Sequence, residues 1–86
     1  MADRTTPADE AEHLALLKKM LGGYLRQTRL GLGQTTDEVA RRIDVPNTAI
    51  RRAESGDAAI STDLMLRALL ACGQRPSDLA RVLLDA

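Results

Sequence analysis

Apolar residues recur at helical spacing through most of this chain, and nowhere do they alternate in the two-residue rhythm of a strand. Ala11, Leu14, Leu17, Met20, Leu21, Tyr24 and Leu25 form the first run. Thr6-Pro7 suits its start, because proline's missing N–H does no harm at the first helical position. Gly22-Gly23 interrupts the run, and each glycine costs a helix about 1 kcal/mol relative to alanine. The pattern predicts either one weakened helix from about Ala8 to Leu30 or two helices meeting at the glycine pair. Gly31 to Gln34 is the next break. Thr35 or Thr36 then caps a second helix to about Ile43, with Val39, Ala40 and Ile43 as its buried stripe. Asp44 occupies a turn where a left-handed backbone is expected. A third helix runs from Asn47 to about Ser55, buries Ala49, Ile50 and Ala53, and ends at Gly56.

Beyond a loop at Asp57 to Ser61, a fourth helix is capped by Ser61 or Thr62 and closed by Gly73. Leu64, Leu66, Ala68, Leu69 and Leu70 are expected inside it. A fifth helix, from Pro76 or Ser77 to about Leu84, offers Leu79, Val82 and Leu83. Residues 1–6 lack periodicity and are expected to be disordered. The fold class that follows is all-α, a bundle of five short helices without repeats.

Eighty-six residues allow one domain with a small core. Tyr24 is the only aromatic residue, so the chain lacks the exposed rings that stack single-stranded nucleic acid. Net charge is zero, but it is unevenly spread. From Leu25 to Gly56 six arginines face four acids, while Asp3, Asp9, Glu10 and Glu12 make the N-terminal arm acidic. The single cysteine, Cys72, excludes an internal disulfide and sits among apolar neighbours as a core residue. His13 has no companion at metal-ligand spacing, so it reads as a surface residue. No cofactor is expected, and nothing pairs a nucleophile with a base, so an enzyme is not expected. There is no apolar run of the roughly 18 residues a membrane span needs and no signal-peptide pattern, so a cytoplasmic protein without a membrane partner is expected.

The informative stretch is Leu25 to Gly56, two short helices joined by a tight turn. Its residues Leu25, Arg26, Arg29, Gly33, Thr35, Ala40, Val45, Ile50, Glu54 and Gly56, with Val39 and Ile43 as conservative matches, resemble the XRE family, the Cro/C1 phage-repressor type of helix-turn-helix protein. The downstream leucine-rich segments resemble that family's fourth and fifth helices. Coverage is about residues 20–84. The sequence departs from the family pattern at Gln34 (usually Leu, with Leu32 a candidate to fill that space), Thr36 (usually Gln), Asp44 (usually Gly) and Pro46 (usually Ser).

The resemblance implies a five-helix, lambda-repressor-like DNA-binding domain with an N-terminal helical extension. Residues 1–13 would be a flexible arm and helix start, and 14–86 the domain. It also implies a structural salt bridge between Arg29 and Glu54. The third helix would enter the major groove, with Asn47 and Thr48 at its N-terminal end meeting base edges. Arg51 shares their face by spacing and suits a bidentate contact to guanine, while Arg52 can reach a base or a phosphate. Phosphate contacts are expected from Thr35, Thr36 and Ser55, with Arg26, Arg41 and Arg42 as weaker candidates. Arg41 and Arg42 also read as an ordinary solvated helix face. Thr36→Ala is expected to weaken binding to all sequences alike.

The implied partner is double-stranded DNA. One domain reads a short stretch, so a homodimer on a palindrome is expected, its interface formed by the fifth helix (Leu79, Val82, Leu83, Leu84) or by the N-terminal segment (Leu14, Leu17, Leu21). The implied function is a transcriptional repressor. The alternative is an antitoxin, or another protein-interaction module on the same fold, whose partner is a toxin or other protein.

Overall fold

The structure is a computed structural model and describes residues 7–85. The expected disorder of residues 1–6 lies outside the described residues. Five helices follow in order, and the described residues contain no strand: α1 (Pro7–Gly31), α2 (Thr36–Arg42), α3 (Asn47–Glu54), α4 (Thr62–Ala71) and α5 (Pro76–Asp85). None is long and apolar enough to cross a membrane.

α1 runs unbroken for 25 residues through Gly22-Gly23, which settles the choice the sequence left open. Gly22 lies against the end of α3, where a methyl group would run into the Ala53 carbonyl oxygen and the backbone of Glu54. Gly56 makes a second close approach. Its φ is +74°, and a Cβ there would lie 2.7 Å from Lys19 Cα. Glycine at these two points lets α1 cross the C-terminal end of α3 backbone to backbone.

The core joins Leu21 and Leu25 of α1, Val39 and Ala40 of α2, Ile50 and Ala53 of α3, and Met65, Ala68 and Leu69 of α4. Ile60, Cys72 and Leu79 close it. Burial pushes the Cys72 thiol above its ordinary value, as suits a core residue. Two expectations about α4 need correction. Met65 is fully buried and Leu70 is exposed. Met65, Ala68, Leu69 and Cys72 make the inward stripe at i, i+3, i+4 and i+7, and Leu70 falls one 100° step past it. Leu32 is likewise exposed rather than filling the site of Gln34. The left-handed turn at Gly33 (φ +67°) carries the chain round so that Gln34 is the half-buried residue.

Local signals account for the helix ends. Thr35 and Glu38 form a reciprocal capping box at α2, and the Ser61 hydroxyl accepts from Leu64 N at α4. Asp44 takes the left-handed conformation expected of the turn (φ 56°). Tyr24 Oη donates to Gln74 Oε1 at 2.8 Å and ties the α4–α5 connector to α1.

Candidate nucleic-acid interface

α3 is only eight residues long, and its position is set by what it packs on. Ile50 and Ala53 are fully buried between α1, α2 and α4. At its C-terminal end Glu54 receives two hydrogen bonds from Arg29, from Nε at 2.6 Å and from Nη2 at 2.9 Å. Both side chains are nearly enclosed, at 11% and 8% exposure. Arg29 Nη1 also donates to the Gln34 carbonyl at 2.9 Å, so one guanidinium fastens α1, the loop before α2 and α3 together. These bonds raise the Arg29 pKa still further, against the cost of burial. Its charge is spent inside the fold.

At the N-terminal end, Asn47 Nδ2 donates to Thr36 Oγ1 at 2.7 Å. This bond fixes the Asn47 amide, whose second N–H and oxygen have no partner among the described residues. Thr36 therefore orients a candidate base-contacting side chain. The N-cap of α3 is Pro46, which supplies no side-chain bond to the first turn.

Between the end of α1, the start of α2 and the outer side of α3 lies a groove of about 670 Å³. Arg26, Gln34, Thr35, Thr36, Arg51 and Ser55 are among its lining residues. Arg26 and Arg51 are exposed, and neither makes a hydrogen bond or ion pair with the described residues. They give the groove two uncommitted guanidinium groups. Thr35 Oγ1 accepts from Glu38 N at 3.1 Å, so each threonine hydroxyl accepts one bond and keeps its own proton to donate.

Residues 20–82 of the chain match the helix-turn-helix domain family. The chain belongs to this family, which is associated with XRE-like DNA-binding domains. No curated protein and no solved structure gives a significant match. The matched span contains the whole of this helix-turn-helix domain's groove and leaves out the N-terminal half of α1.

The helix-turn-helix geometry does not gather every residue expected at the interface. Thr48 is exposed beside Asn47, as required of a reading residue. Arg52 is also exposed, but its Nε donates to Asp57 Oδ2 at 2.8 Å, which turns it toward the loop after α3. Asp57 accepts from Ala59 N as well, and these bonds hold its carboxyl below the usual range. Ser55 lines the groove, yet its hydroxyl donates to Arg52 O and its N–H to Arg51 O. Both of its donors are used within the helix end, so it has none turned to a phosphate. Arg41 pairs with Asp37 along α2, and Arg42 Nη1 donates to Ala71 O at the end of α4. Neither lines the groove. Gln34, noted in the sequence only as a departure from the family pattern, also lines the groove. Its Oε1 is enclosed and accepts no hydrogen bond from the described residues. The signal was present in the sequence, since a polar residue stands where an apolar one is usual.

Proposed function

We propose that this helix-turn-helix protein is a transcriptional repressor that binds a palindromic operator as a homodimer, with α3 in the major groove. The observation that carries the reading is the division of α3 into two faces. Ile50 and Ala53 are buried, while Thr48 and Arg51 are exposed and Asn47 is braced by Thr36 beside a groove containing two unpaired arginines. In this reading Asn47 bonds adenine, Thr48 touches a neighbouring base, and Arg51 forks onto guanine. Arg52 adds its two remaining nitrogens at the far end. Thr35, Thr36 and Arg26 hold phosphates and set the depth of entry.

A fluorescence-anisotropy titration against the DNA upstream of the protein's own gene tests the reading. The expected result is a preference of at least about 10³-fold over random duplex. Affinity should fall with salt at a log–log slope of about −0.9 per phosphate neutralised. Equal affinity for random DNA across the salt range would overturn it. A second reading, an antitoxin-type interaction module, draws support from the exposed leucines of α1, Leu14, Leu16 and Leu17. It predicts that DNA affinity stays low until a protein partner is supplied.

A further inference from the structure

The first half of α1 projects from the domain: every residue from Asp9 to Leu17 is exposed. Its apolar residues do not form the stripe of Leu14, Leu17 and Leu21 expected of an N-terminal interface, because Leu21 is buried in the core. The face left open is His13, Leu16, Leu17 and Met20, at i, i+3, i+4 and i+7. Leu16 is 58% exposed and Met20 47%. Along one flank of this stripe lie Glu12 and Lys19, seven residues apart and both exposed.

We propose that this stripe pairs antiparallel with the same stripe of a second copy, about a twofold axis passing between Leu16 and Leu17. The occupant is identified by charge. Antiparallel pairing across that axis brings Glu12 of each copy within about 3 Å, measured along the helix, of the partner's Lys19 on the same side of the seam, so opposite charges meet. The inference rests on the repressor reading and deepens it by assigning the dimer seam.

Geometry supports the same choice. Gly22 meets α3 on roughly the opposite side of α1 from the stripe, so the pairing leaves α3 uncovered in both copies. With a 1.5 Å rise per residue and helix axes 8–10 Å apart, the two α3 helices fall about 30 Å apart, close to the roughly 34 Å of one DNA turn. Arg26 lies two turns beyond Lys19 on the same flank of α1, so the two grooves open toward the same side.

Sedimentation equilibrium on the full chain tests the proposal. The wild type should form a dimer, and Met20→Lys should weaken it at least tenfold with an unchanged helical circular-dichroism signal. Glu12→Lys and Lys19→Glu should each weaken association several-fold at low salt, and the double exchange should restore it. A monomer at every concentration, a dimer indifferent to Met20→Lys, or a double exchange without rescue would each overturn the seam. Specific DNA binding that survives alongside a dimer indifferent to Met20→Lys sinks the seam and spares the repressor. An intact, swap-rescued dimer without specific DNA binding does the reverse.

Discussion

Gly22 and Gly23 are adjacent, and only one of them is needed where it stands. Gly22 touches the α3 backbone, whereas a Cβ at Gly23 would meet nothing within 4 Å. Gly23→Ala should therefore stabilise the protein by about 0.5–1 kcal/mol through helix propensity. Gly22→Ala should destabilise it by about 1–3 kcal/mol, because backbone must move to admit the methyl. Urea denaturation of the two variants reads both signs. In the sequence the pair looked like a single interruption, because closeness between backbones leaves no trace in composition. Arg29→Ala leaves Glu54 enclosed without its partner and should cost about 3–5 kcal/mol in thermal melts. Arg51→Ala removes no hydrogen bond or ion pair among the described residues. It should leave the melting temperature unchanged and lower discrimination at one base pair by about 1–3 kcal/mol, measured by competition with single-site DNA variants. An Arg51→Ala protein with wild-type discrimination would remove that residue from the proposed reading set.

At the scale of elements, the helix ends were the most legible part of the sequence. Thr35, Ser61 and Asp44 act as their side-chain chemistry predicts, because capping and turn preferences are local. The phase of α4 was less legible. A segment with leucine at most positions has no marked polar side, so the surrounding helices decide which residues turn inward. Three end-region carboxylates share one pH signature. Hydrogen bonds from Thr35, Ala59 with Arg52, and Arg75 hold Glu38, Asp57 and Asp78 respectively below their usual values. Each binds a proton less readily folded than unfolded. Their support is thus complete at neutral pH and is lost as the solution is acidified below about pH 4 and through the depressed values. Thermal melts from pH 7 to pH 2 should fall along that course. Glu38→Gln, which keeps the reach-back bond without the charge, should flatten its share.

The described residues span 47 × 26 × 17 Å, drawn out by α1. A net charge of zero says little about DNA affinity at this scale. What matters is which cations remain unpaired on one surface, since fields are screened within roughly 8 Å at physiological salt. Helical spacing placed Arg51 with Asn47 and Thr48, but spacing carries no information on the prior engagements of Arg42, Arg52 and Ser55 with Ala71, Asp57 and the end of α3. Those engagements involve loops and helix ends that only the assembled chain brings close.

The bond from Tyr24 to Gln74 has a practical consequence. With no tryptophan in the chain, Tyr24 is its only strong near-ultraviolet chromophore, and its phenol bridges the first helix and the connector before the last. Intrinsic emission and second-derivative absorbance therefore give a label-free optical reporter of whether the C-terminal segment is docked, separable from the far-ultraviolet signal of the helices themselves.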